Sequence, residues 1–467
     1  MNLHRLHIAL AAVLLLVGTA VDGKIHSSVP AARKDGTIVL KTPKRPAGQQ
    51  HALKMTAEPI PVVRVGFIGV GSRGTGAVGR YLHIEGARIV AVCDLVQENI
   101  DKVQDRLAQA AYPSKVDSYV GEDTWKQVCE REDIDLIYIC TDWVHHTPMA
   151  VYAMEHGKHV AVEVPAAMSI AECWQLVNTC ERTRRHCMML ENCVYDFFEV
   201  TTLAMAKKGL FGELYFGEGG YIHNLDAVWT RYWDKWRIKF NREHRGDNYP
   251  THGLGPLCQV FDIHRGDRLV TLVSMDSKPI HSAEKGRELV GATDFAEGDH
   301  TVTMIRTANG KLIQIQHNVY ASRPYSRLHA LTGTDGYAVK YPEPRICLKP
   351  EKMPERIAYD DLGSEKFLPQ KEYEALMALY EPAFVSEIKE TAKKVGGHGG
   401  MDYIMDYRLI YCLQHGLPLD QDVYDAAEWC SLVELSHLSI ENGSAPVAVP
   451  DFTRGYWDLL PGYTYGF

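Results

Sequence analysis

The chain has 467 residues, 46% of them hydrophobic and 23% charged, with a formal net charge of −9; that is long enough for two hydrophobic cores. An acidic balance with no long Lys/Arg block excludes nucleic acid as the main partner, because "RTRR" at 182–185 reads as the solvated end of a helix. Eleven cysteines, an odd number matching no CxxC pair, signal neither a zinc site nor a disulfide framework and read as buried free thiols.

The opening "MNLHRLHIALAAVLLLVGTA" has a short basic start, an apolar run over 8–17 and then small residues. That pattern predicts a signal peptide over 1–23 and an exported protein, periplasmic or secreted; the run is too short for a membrane span. Residues 24–61, rich in Lys, Pro, Ala and Ser, read as a flexible leader outside the fold.

From Val62 the pattern changes. "VVRVGFIGV" is a continuous apolar run, as a strand buried on both faces requires. After the glycines of "GVGSRG" come a helix to about residue 85 and the strand "ARIVAVCD". Helices near 96–111 and 123–131 follow, then the strand "IDLIYICT", another helix, "HVAVEVP", a helix over 169–185 and "HCMMLENCVY". This alternation predicts an α/β fold, with a doubly wound parallel Rossmann sheet over 62–195.

Residues 196–467 read as a second, α+β domain. A helix near 197–208 precedes the strand-like runs "ELYFGEGGYIH", "HTVTMIRT" and "KLIQIQHNV", the last two joined by the hairpin signal "ANG". They predict a mainly antiparallel open sheet, and the C-terminal stretches from "GGMDYIMDYRLIYCLQHG" onward are helical. "RGDNYPTHGLGP" at 245–256 is too rich in Gly and Pro for a regular helix or strand and reads either as an ordinary surface turn or as a rigid loop presenting Tyr249 and His252.

Gly69-x-Gly71-x-x-Gly74 follows a buried strand and opens a helix, and Asp94 ends the next strand twenty residues on. In that context the motif predicts dinucleotide binding: Gly69 for the tight turn, Gly71 for close approach to the pyrophosphate, Gly74 for helix–strand packing. Asp94 would accept from the adenosine ribose and repel a 2′-phosphate, which favours NAD over NADP. The alternative is a structural turn with Asp94 capping the following helix.

The N-terminal half resembles the Gfo/Idh/MocA oxidoreductases. From about Val63 to the end the chain is similar to the NAD-dependent α-N-acetylgalactosaminidases of glycoside hydrolase family 109. The stretches that carry this are "VGSRG", "AMEHGKHVAVEVPAAMSIAECW", "LENCVY", "YPTHGLGP", "RPY", "GGHGGMDY", "LPLDQDVYDAAEW", "SIENG" and "VPDFTRGYW". The resemblance implies that Ser72, Arg73, Asp94, Trp143, Val144, His145, His146, Glu163, Val164 and Asn192 hold the cofactor. It also implies that Arg237, Tyr249 and Tyr325 touch the sugar, and that His252 and Tyr195 lie at the reacting carbons.

The implied chemistry is transient oxidation at C3, elimination, water addition and hydride return, an exception among glycosidases to the paired-carboxylate rule. His252 is the expected base at the C3 hydroxyl. Tyr195, with Tyr249, is expected near C2, its proton made labile by a cation such as Arg237. By residue type alone His252 would bond its own loop, and Tyr195 and Tyr325 would be core or rim aromatics. An ordinary sugar dehydrogenase is disfavoured by Glu163-Val164-Pro165, where the wider superfamily has Glu-Lys-Pro and its proton-handling lysine. A non-catalytic sugar-binding protein is the third reading. His398 and Asp402 stand at i, i+4 spacing, but two ligands without a third predict no metal site. The implied partner is a glycan or glycoside; the oligomeric state stays open, although open-sheet domains of this kind often pair through their sheet faces into a homo-oligomer.

Overall fold

The computed structural model describes residues 31–357 and 365–462, so the expected signal peptide lies outside the described residues. The apolar runs of the first half form a six-stranded, all-parallel sheet. Its order across the sheet is Asp117–Val120, Ala87–Asp94, Val63–Ile68, Leu136–Ile139, His159–Val162 and Cys187–Met189. The central strands are buried on both faces, which is why they read as unbroken hydrophobic runs. Chain order reverses between Val63–Ile68 and Leu136–Ile139. The crevice beyond the carboxyl ends of those two strands is where such sheets take ligands.

The second sheet has ten strands. From edge to edge they are Ala31–Lys34, Thr37–Leu40, Val447–Ala448, Leu269–Asp276, Thr301–Thr307, Leu312–Asn318, Leu214–Ile222, His329–Gly333, Gly336–Val339 and Arg345–Leu348. Pairing is antiparallel except between Leu312–Asn318 and Leu214–Ile222 and between Val447–Ala448 and Thr37–Leu40. One face packs on helices: Gly217 and Gly219 meet Thr251–Val260, and Ser274 N–H donates to Ser439 of helix Val423–Glu441 at 2.9 Å. The other face carries Met275, Met304 and Leu312, all exposed. Ten of the eleven cysteines are buried.

Two expectations are corrected. Residues 31–61 belong to the fold. Ile38 and Leu40 alternate into the core, Ala52, Leu53 and Met55 are buried, and Arg45 donates twice to the buried Glu181, each bond 3.0 Å. The Lys/Pro-rich composition concealed one period-two strand and one arginine whose acceptor lies far along the chain. "THGLGP" is not a loop but the first part of a helix, Thr251–Val260. Pro250 occupies the N-cap position, and Pro256, the sixth of ten helical residues, has no N–H to donate to the carbonyl four residues back. The glycines face neighbours rather than loosening the backbone: a Cβ on Gly253 would stand 2.4 Å from Gly220 N, and one on Gly219 would stand 2.2 Å from Gly253 O.

Candidate active site

The glycine turn has the geometry the motif predicts. Gly69 has φ +83°, and a Cβ there would meet the Cys140 carbonyl oxygen at 2.7 Å; a Cβ on Gly74 would meet Gly69 O at 2.0 Å. Gly71, by contrast, faces open space apart from Asn99 Nδ2 at 3.7 Å. Helix Ser72–Tyr81 begins with no side-chain cap and no acidic residue in its first turn. Its first amides are therefore left for an anion. Asp94 Oδ2 accepts from Val70 N–H at 2.8 Å, while Oδ1 accepts from Val96 N–H at 2.8 Å and Asn99 Nδ2 at 3.0 Å. Uncapped amides under an open glycine, with a carboxylate one strand away, fit a dinucleotide's pyrophosphate and ribose.

Around this turn the predicted cofactor residues form a connected network. Arg73 donates from Nε to Glu163 Oε1 and from Nη1 to Asp402 Oδ2, both at 2.6 Å. Asp402 also takes Asn192 Nδ2 at 2.5 Å, with His398 Nδ1 3.0 Å away. Burial alone would raise the Asp402 carboxyl, but Arg73, His398 and Arg80 hold it well below the usual carboxylate range. His398 and Asp402 thus belong to one polar network with Arg73 and Asn192. Trp143 opens helix Trp143–Glu155 and donates to the Val164 carbonyl at 3.2 Å, with Val144 exposed beside it. The two adjacent histidines divide. His145 is exposed and sits 2.5 Å from Asp142, whereas His146 is buried between the Pro165 and Thr141 carbonyls, at 2.7 and 3.1 Å.

Against the cofactor side stands an aromatic cluster from the second domain. The Arg237 guanidinium is buried and lies 4.7 Å from the Tyr249 ring and 4.9 Å from the Trp143 ring, its Nη1 donating to Tyr232 Oη at 2.8 Å. Tyr249 meets His252 edge-on at 4.9 Å, and Tyr221 touches both, at 4.9 and 5.2 Å. Tyr221 Oη lies 2.7 Å from His223 Nδ1, and the His223 ring lies 4.8 Å from Tyr325. Trp143, Arg237, Tyr249 and His252 are therefore in mutual ring and cation contact, and Tyr325 joins them through His223 and Tyr221. Burial pushes the His252 imidazole down to about 4, against the pull of Glu191.

Tyr195 does not join them. Its hydroxyl donates to Asp420 Oδ2 at 3.3 Å, in a cluster with Arg408, and the Asp420 carbonyl is held by Gln259 at 3.1 Å. Gln259 lies two helical turns beyond His252, about 10 Å along the axis. Burial raises the Tyr195 phenol well above its ordinary value, and Asp420 adds to it. The cation expected to activate a tyrosine, Arg237, stands over Tyr249 instead.

Three residues of the site are not among the candidates the sequence singles out: Tyr221, Glu191 and Arg327. Tyr221 follows Gly217, Gly219 and Gly220, and glycines inside a strand pattern were the available signal, since they mark close backbone approach. Glu191 lies 2.7 Å from His252 but 61 positions away in sequence. Arg327 is buried, with Nη1 at 3.2 Å from both Asn192 Oδ1 and Cys193 Sγ. Glu191, Cys193 and His252 bring three ligand-type atoms within 4.8 Å of one another. The Arg327 guanidinium beside the thiol would repel a cation there, so the trio reads as a hydrogen-bond cluster.

Fold and site together define a two-domain protein of the Gfo/Idh/MocA architecture with a nicotinamide-cofactor domain. Residues 63–191 match the family model described as the oxidoreductase family, NAD-binding Rossmann fold. Residues 195–459 match that of the glycosyl hydrolase 109 C-terminal domain. A glycosyl hydrolase family 109 protein of Phocaeicola vulgatus is 55% identical over 447 residues, 95% of each chain. One of Porphyromonas gingivalis is 53% identical over 459 residues, 97% of each. The chain belongs to glycoside hydrolase family 109. Among solved structures, an NAD-binding oxidoreductase from Klebsiella pneumoniae aligns with TM-score 0.62 at 16% identity, covering 84% of this chain and 100% of that one. A myo-inositol 2-dehydrogenase from Lactobacillus plantarum aligns at 0.60 and 15%, covering 83% and 100%. These two likenesses bear on fold alone.

Proposed function

We propose that this protein is an exported glycosidase that uses NAD to remove terminal N-acetylgalactosamine, or a closely related sugar, from a glycan. The observation that carries the reading is His252: a buried imidazole, neutral at working pH, set among Tyr249, Tyr221 and Arg237 beside the Trp143 end of the cofactor crevice. A nicotinamide cofactor held by Ser72, Arg73, Asp94, Glu163 and Asn192 would supply a reversible hydride acceptor for the sugar's C3.

The chain's own residues do the rest. His252 accepts the C3 hydroxyl proton through Nε2. Tyr249 replaces Tyr195 as the residue that moves a proton at C2. Burial, with Tyr221, raises its phenol, and the Arg237 cation works against them by favouring the phenolate, the form that takes the C2 proton and, once protonated, returns it. Arg237 and Tyr325 hold the ring. Asp94 discriminates against a 2′-phosphate and so favours NAD. Val164 has no proton to transfer, which weighs against net dehydrogenation. The basic and apolar opening supports export, which fractionation of the producing cell would check. The exposed apolar sheet face supports pairing of two copies.

The test uses purified mature protein, no added NAD, and nitrophenyl glycosides including both anomers of N-acetylgalactosamine. Nitrophenol release without accumulating NADH, and with solvent deuterium entering C2, is the expected result. NADH formed only when NAD is supplied, with no aglycone released, would overturn the reading in favour of a sugar dehydrogenase.

A further inference from the structure

We propose that Glu191 is the positioning residue of His252: its carboxylate holds the imidazole's Nδ1–H, leaving Nε2 as the lone-pair nitrogen that faces the sugar. The inference rests on the proton-transfer role given to His252 above.

Glu191 Oε1 lies 2.7 Å from His252 Nδ1, with both side chains buried. Neutral imidazole has one N–H and one lone pair, and a carboxylate accepts only, so this contact selects the Nδ1–H tautomer. Among the described residues no hydrogen bond engages Nε2. The carboxylate is itself fixed. Oε1 also accepts Cys193 N–H at 3.0 Å, the Glu191 backbone N–H donates to the Met189 carbonyl at 2.9 Å, and the Glu191 carbonyl accepts Gln421 Nε2 at 3.0 Å. Helix Thr251–Val260 packs on it so closely that a Cβ on Gly255 would stand 3.0 Å from Glu191 Cγ.

The pair also crosses the domain boundary. Glu191 follows the last strand of the parallel sheet, Cys187–Met189, and His252 comes from the second domain. The base is therefore set correctly only when the two domains are docked. When Nε2 takes the hydroxyl proton, the imidazolium forms beside a carboxylate already in place, in surroundings where such a charge is otherwise costly. The other groups facing His252 are Tyr249, Tyr221, Arg327, His398 and Cys193. Arg327 and His398 both oppose the imidazolium, so Glu191 is the residue that favours it.

Nitrogen NMR of histidine-labelled holoprotein, with H252Q to assign the signal, reads the tautomer without any turnover. The expected result is a His252 Nδ1–H that is hydrogen-bonded in the native protein and altered in E191A; an Nε2–H tautomer would overturn the proposal. E191Q keeps an acceptor but removes the charge. Its expected kcat is lower by about 10²–10³-fold, less than the loss typical of a triad carboxylate replaced by its amide. KM should stay within a few-fold of native, and the deuterium effect from a C3-deuterated glycoside should rise as oxidation becomes rate-limiting. A folded E191Q with native kcat would overturn the proposal. If the native protein cleaves no glycoside, the functional reading fails, and the NMR result still decides the tautomer.

Discussion

Buried carboxyls that keep their protons give this protein a pH signature traceable to single side chains. Behind the Tyr249 segment, burial pushes Asp247 up to about 7 and Glu297 up to about 8. Glu297 accepts from Tyr320 at 2.5 Å and from Asn248 at 3.0 Å, and Asp247 accepts the Tyr249 N–H at 3.0 Å. Unfolded carboxyls ionise near pH 4. Between that point and the folded values the native state binds more protons than the unfolded one, so stability falls as pH rises through the window. The expected observation is a melting temperature that drops from pH 5 to pH 8.5, with a smaller drop in E297Q, which cannot ionise. Parallel melting curves for the two proteins would mean that Glu297 is already charged. Arg237 makes a second prediction at this scale. Lysine would keep the charge but lose the planar group over Trp143 and Tyr249. R237K should raise KM about tenfold, equivalent to about 1.4 kcal/mol, with stability little changed.

Helix Thr251–Val260 shows what the sequence discloses about an element and what it withholds. The βα alternation, the glycine turn and the parallel strands were legible because each leaves a local periodic trace. "THGLGP" misled because Gly and Pro mean opposite things in a turn and in a helix pressed against a strand. What decides between them is Gly219 and Gly220, more than thirty positions upstream. Backbone cannot move aside as a side chain can, so G253A should cost about 1–3 kcal/mol and displace His252 with the helix. Thermal melts and kcat measured on the same preparation check both parts. Helix Met401–His415 makes the complementary case. Asp402 and Asp406, one turn apart, take Arg73 and Arg80 of the cofactor helix, each closest contact being 2.6 Å. D402N removes the carboxylate that holds Arg73 and Asn192 in place beside the glycine turn. It should weaken NAD binding about tenfold, or about 1.4 kcal/mol, as read by cofactor retained through dialysis.

At the scale of the whole molecule, the site is assembled from segments whose pairing no spacing rule encodes. His252 and Glu191 come from different domains, and Tyr195 shows how a matching motif can still aim its hydroxyl elsewhere. The N-terminal segment follows the same logic. Glu181 gathers Arg45, Arg454 and Tyr424, tying residues near both ends of the described chain to one helix of the Rossmann domain. Among the described residues, nothing packs on the outer face of the ten-stranded sheet around Met275, Met304 and Leu312. There Met304 pairs across the ladder with Val273 and Gln314, Met275 with Val302, and Leu312 with Phe216. The inner face alternates with this one residue by residue and is fully packed, so the outer apolar residues are not spill-over from the core. Water against such a surface is unfavourable by roughly 25 cal/mol per Å², and a second copy meeting it face to face would remove that cost symmetrically. The native protein should then sediment as a dimer, and M275E/M304E, which leaves the inner face intact, should sediment as a monomer with unchanged secondary structure. A monomeric native protein would mean that this face serves something other than self-association.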